Sequence, residues 1–200
     1  MNANATQECA VRALKEGKPV VFPTDTLFGL GVSVLHAQSP EILYEIKQRE
    51  QRKPIAWLVG SVADLDRYGK VVPEYARTLA RTFWPGPLTI IVKASAEVPA
   101  AFCSSQGTIG LRMPNSEAAL DLIKQVGCPL ATTSANVSGQ PDTVVFEDIA
   151  PEVMRRVGAA LNDEEVKSGV ASTIVDCASG HHPVLVREGA ITVAQIRALS

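Results

Sequence analysis

The sequence predicts an α/β protein in which helices flank a twisted, mixed sheet, and three observations favour this class. Short apolar runs typical of buried strands alternate along the chain with amphipathic stretches that begin at capping residues. No repeat, low-complexity tract or linker divides the 200 residues. Of these residues 46% are hydrophobic, which is enough for one core, so we expect a single domain over residues 1–200.

The N-terminal elements follow from capping residues and apolar runs. A helix is expected over residues 6–17, with Thr6 as its N-cap and Gly17 at its C-terminal stop. The apolar run 19–22 predicts a short buried strand, and the alternating segment 31–35 predicts another strand.

A second helix is expected to begin at Ser39, because Ser39-Pro40-Glu41 supplies a cap, a first-turn proline and an acid in order. This helix is expected to continue into the basic segment 47–54. Taken alone, such a run of cations is typical of a solvated helix C-terminus, where positive charge complements the helix dipole.

The rest of the chain continues the alternation. Strands are predicted at 54–59, 88–92, 108–113, the start of 129–139, 171–175 and 183–186, and helices at 61–68, 73–83, 115–126, 146–158 and after the cap Thr192. An acidic connector is expected at 162–169. Trp84, at a sharp Pro-Gly turn, is expected to anchor the turn or the core rather than to stack on a base.

Composition excludes several classes of protein. A net charge of −2 and a pI near 5.9 argue against a protein that coats nucleic acid, although a local basic patch stays open. The sequence contains no signal peptide and no run approaching the ~18 apolar residues of a membrane span, so we expect a cytoplasmic protein without membrane contact. The four cysteines lie far apart and are expected to be reduced and mostly buried.

The segment 129–139 is the strongest indication of a binding site. It begins like the end of a buried strand and continues with uncharged hydrogen-bonding residues, namely Thr132, Thr133, Ser134, Asn136 and Ser138. Short neutral side chains can hold a polar ligand with little side-chain entropy to lose. Capping of turns at a strand end explains the same composition when the segment is taken alone.

Other polar residues fall at the ends of predicted strands, where open α/β sheets bind ligands. They are Thr24, Asp25 and Thr26, the cations Lys47, Arg49 and Lys53, the arginines Arg112 and Arg187, and the pair Ser172 and Thr173. Hydroxyls surrounded by cations suit a polyphosphate beside a small polar molecule. The sequence shows no nucleophile–base motif, phosphate-binding glycine loop or His–Cys metal spacing, so we predict no metal site built by the protein.

Six motifs occur in the order typical of one family. They are Pro-Thr-Asp-Thr-Leu-Phe-Gly-Leu-Gly at 23–31, Lys47-Gln-Arg49, Leu111-Arg-Met-Pro114, Thr133-Ser-Ala-Asn136 with Ser138-Gly139, Ser172-Thr-Ile-Val-Asp176 and Val186-Arg-Glu-Gly189. From about residue 10 to residue 191 the sequence resembles the YrdC-type threonylcarbamoyl-AMP synthases. The resemblance implies a YrdC-like fold with a basic cavity. Because the chain stops about where the catalytic domain of the family ends, the short bacterial form is expected.

The resemblance also implies a reaction, a nucleotidyl transfer. L-Threonine, bicarbonate and ATP would give threonylcarbamoyl-adenylate and pyrophosphate, and tRNA threonylcarbamoyl-transfer proteins would pass the group to adenosine 37 of ANN-decoding tRNAs. ATP is a substrate, and Mg²⁺ is expected to arrive with its phosphates. Direct contact with tRNA or other RNA stays open.

Site residues are carried over from the family position by position. Threonine is expected at Thr26, Arg112, Thr132 and Ser172, and the nucleotide at Arg49, Lys53, Thr108, Ser134, Thr143 and Arg187. The paired signatures Lys47 with Arg49 and Ser134 with Asn136 form the expected catalytic set. Leu58 stands where longer relatives can have a histidine near threonine.

Two alternatives stay open. A non-catalytic RNA-binding factor of the same fold, acting in ribosome or tRNA maturation, would use the same basic cavity. A relative with another carbamoyl substrate, as in hydrogenase-maturation proteins with a similar domain, would keep the fold as well. One further expectation concerns Arg112 and Arg187: in the empty protein each should pair with a carboxylate or stay hydrated in an open cavity.

Overall fold

The structure is a computed structural model of the chain, and it describes residues 5–48 and 55–199. Within these ranges the helices are α1 (Gln7–Lys15), α2 (Glu41–Lys47), α3 (Asp64–Tyr68), α4 (Glu74–Phe83), α5 (Glu117–Val126), α6 (Pro151–Met154) and α7 (Val193–Arg197). The strands are β1 (Val20–Pro23), β2 (Phe28–Ser33), β3 (Ala56–Leu58), β4 (Leu88–Lys93), β5 (Thr108–Arg112), β6 (Leu130–Ser134), β7 (Ala159–Ala160), β8 (Thr173–Asp176) and β9 (Val184–Arg187).

These strands join one mixed sheet in the order β7-β1-β2-β6-β3-β5-β4-β8-β9. Parallel pairing joins β7 to β1, β3 to β5 and β4 to β8, and the other neighbours pair antiparallel. The predicted class, an α/β protein with a twisted mixed sheet, is confirmed. Because the spatial order departs from the chain order, residues distant in sequence meet along the central strands.

Apolar clusters cover both faces of the sheet, since successive strand residues point to opposite sides. In β1, Val20 and Phe22 join the cluster that contains the buried faces of α1 and α5, whereas Val21 belongs to the larger cluster. Leu43 of α2 and Leu79 of α4 are fully buried in that larger cluster. None of the helices in the described part of the chain has the length and apolar character needed to cross a bilayer.

Several local predictions are confirmed at single residues. The Thr6 side chain accepts a hydrogen bond from the Cys9 amide and caps α1, and Thr192 forms a capping box at the start of α7. Trp84 is buried and donates from Nε1 to the Leu88 carbonyl at 2.7 Å, so it anchors the turn before β4.

The strand predicted at 31–35 is β2, which begins earlier and ends earlier than expected. β1 and β2 form an antiparallel pair that starts at Pro23 and Phe28, so the loop between them is only residues 24–27. The first residues of β2 were not predicted as strand because Gly29 and Gly31 break the apolar alternation. The structure explains them: a Cβ on Gly31 would lie 2.9 Å from both the Phe22 ring and Thr132 Oγ1.

The prediction of one helix over residues 146–158 is wrong. Phe146–Asp148 forms a 3₁₀ turn, α6 covers four residues, and Ala159–Ala160 pairs with β1 as a short strand. Ile149 and Ala150 are extended, with ψ of 123° and 133°. The residue before a proline avoids helical geometry, and Pro151 therefore interrupts the apolar pattern that suggested one helix.

The second helix ends at the start of the basic segment, in agreement with the prediction: its last residue is Lys47, and Gln48 lies in the left-handed region at φ 51°. Residues 49–54 of that segment lie outside the described residues. One further expectation is corrected. Cys177 is buried, but Cys9, Cys103 and Cys128 are half-buried, so the cysteines are not mostly buried.

Candidate functional site

A polar cavity of about 210 Å³ lies where the loop 24–27 meets the central strands. Hydroxyl groups dominate its lining, and two arginines and one carboxylate of the described residues supply its charge. The lining residues are Thr24, Thr26, Leu27, Phe28, Gly29, Ala56, Leu58, Thr89, Arg112, Thr132, Thr133, Ser134, Asp142, Ala171, Ser172, Ile174 and Arg187. The structure thus brings together six of the predicted site residues: Thr26, Arg112, Thr132, Ser134, Ser172 and Arg187.

Arg112, the last residue of β5, is held on three sides. Its Nη2 pairs with Asp25 Oδ1 at 2.5 Å, its Nη1 donates to Thr26 Oγ1 at 3.1 Å, and its Nε donates to the Gly86 carbonyl at 3.1 Å. Burial lowers the pKa of Arg112 from its ordinary value, and Asp25 opposes this shift. The expectation that the buried arginine has a carboxylate partner in the empty protein is confirmed.

Arg187, at the end of β9, is held by a neutral residue. Its Nε and Nη2 donate to the Ser172 carbonyl at 3.1 and 2.7 Å, and Nη2 also lies 3.2 Å from Ser172 Oγ. Partial burial of the guanidinium lowers the pKa of Arg187, whereas the charge of Asp142 raises it. The guanidinium therefore lies at the cavity wall, and among the described residues no carboxylate is as close to it as Asp25 is to Arg112.

Lys47 is buried and binds the end of β6 next to the cavity lining residue Ser134. Its Nζ lies 2.6 Å from the carbonyl oxygens of both Ser134 and Asn136, 2.8 Å from Asn136 Oδ1 and 3.3 Å from Ser134 Oγ. Ser134 Oγ donates to Asn136 Oδ1 at 2.6 Å, and Asn136 Nδ2 donates to the Gln140 carbonyl at 2.7 Å. Lys47 is 3% exposed, so its interpretation as part of a solvated helix end is wrong.

The remaining predicted residues lie in two adjoining cavities or outside the described ranges. Thr108 lies in a mostly apolar cavity of about 300 Å³ that shares Ala56, Thr89 and Ile174 with the polar one. Thr143 lies in a third cavity of about 610 Å³, which shares Asp142 with the polar cavity and is also lined by Asn136. Arg49 and Lys53 lie outside the described residues.

Sequence analysis missed Thr89, which lines both the polar and the apolar cavity. Its side chain is buried, and its Oγ1 lies 3.0 Å from Ser172 Oγ. A threonine between Leu88 and Ile90 in an apolar strand is the signal that could have identified it, because a buried hydroxyl needs a hydrogen-bond partner.

Side chains that could bind a metal ion are few in the described lining of the polar cavity. Within residues 5–48 and 55–199, no group of three or more His, Cys, Asp or Glu side chains is arranged to hold a metal ion. A magnesium ion in the polar cavity would meet Asp142 as the one carboxylate of the described lining, so it would take most of its ligands from a bound phosphate.

Comparison with known proteins shows similarity to one family over most of the chain. The family model Sua5_yciO_yrdC, described as telomere recombination, matches residues 12–189. The threonylcarbamoyl-AMP synthase of Pyrococcus abyssi is 35% identical over 183 residues, which are 92% of this chain and 54% of that protein. The putative threonylcarbamoyl-AMP synthase of Mycobacterium leprae is 37% identical, with 94% of this chain and 84% of that protein covered.

A solved structure shows the same similarity in three dimensions. The crystal structure of P. abyssi Sua5 complexed with L-threonine matches with a TM-score of 0.90 and 34% identity, covering 96% of this chain and 56% of that one. The chain thus spans about half the length of the Pyrococcus protein and most of the length of the Mycobacterium protein.

Proposed function

The chain belongs to the Sua5/YciO/YrdC family, and from this premise we propose that it is an L-threonylcarbamoyladenylate synthase. Such an enzyme is a nucleotidyltransferase that converts L-threonine, bicarbonate and ATP to threonylcarbamoyl-AMP and pyrophosphate. The observation that carries the proposal is one hydroxyl-lined cavity into which two separately held arginines project. Such a cavity suits two anionic substrates bound side by side.

Threonine is assigned to the side of the cavity formed by Arg112, Thr26, Thr132 and Ser172. Arg112 would bind the threonine carboxylate, since a guanidinium presents donors in a planar fork that matches a carboxylate. The neighbouring hydroxyls would bind the amine and hydroxyl of the substrate. The P. abyssi relative, whose structure contains L-threonine, supports this choice of amino acid.

ATP is assigned to the side formed by Arg187 and Ser134 and to the adjoining cavities. The polar cavity, at about 210 Å³, is too small to hold threonine and a whole nucleotide together. The nucleotide would therefore extend into the cavities that share lining residues with it. The apolar cavity that contains Thr108 offers the lining that suits a planar base. Thr143, Arg49 and Lys53 complete the proposed nucleotide contacts.

The reaction needs alignment and charge neutralisation more than a protein nucleophile. The threonine amine and bicarbonate form a carbamate with loss of water, and a carbamate oxygen then attacks the α-phosphorus of ATP as the bond to pyrophosphate breaks. Arg112 and Arg187 would hold the reactants at fixed positions and stabilise the developing negative charge. Magnesium, when bound with ATP, would neutralise phosphate oxygens.

Ser134 and Asn136 would be set in place by Lys47. The ammonium lies within hydrogen-bonding distance of oxygen atoms of both residues, so it holds the end of β6 at the cavity wall. With Arg49, these residues form the proposed catalytic set. The product would leave for a tRNA threonylcarbamoyl-transfer protein in the cytoplasm.

A labelled product assay tests the proposal. The full chain is incubated with ATP, L-threonine and ¹³C-bicarbonate, and threonylcarbamoyl-AMP carrying the label is measured by mass spectrometry together with released pyrophosphate. We expect the labelled product to disappear when any one substrate is omitted. Absence of the product, with saturable binding of RNA, would instead support the non-catalytic RNA-binding alternative.

A further inference from the structure

The connector 162–169 is largely exposed, yet it contains one deeply buried side chain, and that side chain is a lysine. Val166 is 96% exposed, whereas the side chain of Lys167 is 2% exposed. Lysine is seldom buried unless it is paired, because removing an ammonium group from water is costly. The inward position of Lys167 therefore indicates a specific role for its charge.

Lys167 joins the connector to the wall of the polar cavity. Its Nζ pairs with the carboxylate of Asp163, donates to the Glu165 carbonyl at 2.7 Å, and lies 5.2 Å from the centre of the Phe28 ring. Phe28 lines the cavity, but Lys167 does not. An ammonium over an aromatic face is attracted by the ring, and this attraction is stronger where water is excluded.

The two residues after Lys167 bind the loop that holds Arg112. The Ser168 amide donates to the Asp25 carbonyl at 3.1 Å, and the Gly169 amide donates to the Thr26 carbonyl at 3.1 Å. The side chains of those two loop residues are the ones that bind the Arg112 guanidinium. A continuous set of contacts thus leads from Lys167 to Arg112.

We propose that Lys167 is a positioning residue for the threonine side of the cavity, an inference that rests on the function proposed above. By holding the connector against Phe28, Lys167 fixes the backbone of residues 25–26 and, through their side chains, the orientation of Arg112. Lys167 touches no substrate. Its contribution reaches threonine through the loop, and the nucleotide side depends on it less.

Lys167→Met tests the role of the charge, since methionine keeps an unbranched apolar stem and removes the ammonium. Calorimetric titration of the full chain is expected to show threonine binding weakened about tenfold, because small misplacements of a binding group are costly, while ATP binding changes less than about twofold. Lys18→Met is the matched control, since the Lys18–Glu16 pair is 59% and 48% exposed, and it should change neither affinity.

Hydrogen exchange tests the same role without any ligand. In Lys167→Met, amides in 24–28 and 163–169 should exchange faster, whereas those of α4 should not. Unchanged exchange in 24–28, or equal losses of threonine and ATP affinity, would overturn the proposal. If the wild-type protein binds no threonine, the proposed function fails, and the exchange data still decide whether Lys167 holds the loop.

Two further variants keep the test decisive if Lys167→Met does not fold. Asp163→Asn leaves the lysine in place and removes its anionic partner. It should weaken threonine binding more than ATP binding, as Lys167→Met does, but by a smaller factor. Lys167→Arg retains the positive charge and should restore threonine binding to within about threefold of wild type, because arginine also pairs with carboxylates and stacks on aromatic rings. Failure of both variants to follow this order would overturn the proposal.

Discussion

The two arginines of the polar cavity are held in contrasting ways. Arg112 ends the central strand β5, its side chain is 8% exposed, and it pairs with a carboxylate at 2.5 Å. Arg187 ends β9, which is an edge strand of the described sheet, and every residue of β9 is exposed. The Arg187 side chain donates hydrogen bonds to the neutral residue Ser172. The cavity therefore combines one enclosed, ion-paired cation with one cation at the margin of the described sheet.

This difference indicates how the two sides can act. A buried ion pair held by further hydrogen bonds has one arrangement, and disturbing it leaves an unpaired charge in a dry environment. An arginine on an exposed strand can adjust its position at little cost. We therefore expect the threonine side to be formed before the substrate arrives and the nucleotide side to adapt when ATP binds.

The largest effect expected from a preformed threonine side is discrimination against valine. Valine has nearly the shape of threonine but lacks the hydroxyl, so it would leave buried hydroxyl groups of the cavity unpaired, and kcat/KM should fall by ~10⁴. Serine should be rejected less strongly, since loss of one methyl group costs about 1–3 kcal/mol. Competition assays of adenylate formation measure both ratios, and equal turnover of valine and threonine would contradict a preformed site.

Removal of the enclosed cation should affect folding and threonine binding together. Arg112→Met leaves the Asp25 carboxylate, which is 15% exposed, without its partner, so the free energy of unfolding should fall by about 3 kcal/mol and threonine binding should be lost. Denaturant titration and calorimetry measure the two effects. Adding Asp25→Asn should recover part of the stability without recovering threonine binding; full recovery of binding would show that Arg112 does not contact the substrate.

Replacing the guanidinium of Arg187 by an ammonium should weaken ATP binding and have little effect on threonine binding or stability. Arg187→Lys keeps the charge but cannot donate in parallel to a phosphate, so ATP binding should weaken about tenfold while stability changes by less than about 1 kcal/mol. Arg112→Lys is the paired variant and should weaken chiefly threonine binding. An interchange of the two effects would mean that the ligands are assigned to the wrong sides.

The smallest effect is expected at Thr89, which lies at the wall between the polar and the apolar cavity. Thr89→Val keeps the shape and removes the hydroxyl that pairs with Ser172, so the free energy of unfolding should fall by about 1 kcal/mol. Ser172 adjoins both sides, and modest, similar losses of threonine and ATP affinity should follow. Isothermal titration of each ligand checks this, and a loss confined to one ligand would assign Thr89 to that side alone.

Much of this protein follows from local features of its sequence. The caps Thr6 and Thr192, the apolar runs and the turn at Trp84 mark most elements, because capping and strand burial depend on neighbouring residues. Six residues expected in the site do line one cavity. They were assigned from the order of the family motifs, because residue type alone does not separate a binding site from turn capping at strand ends.

Other features depend on contacts between distant parts of the chain. In the sequence Lys47 looks like a solvated helix end, but the fold brings its ammonium to the oxygen atoms of Ser134, 87 residues later. Lys167 looks like part of an acidic connector until the fold places Phe28 beneath it. The strand order that brings these segments together is set by long-range pairing and packing, and these energies are absent from any local stretch of sequence.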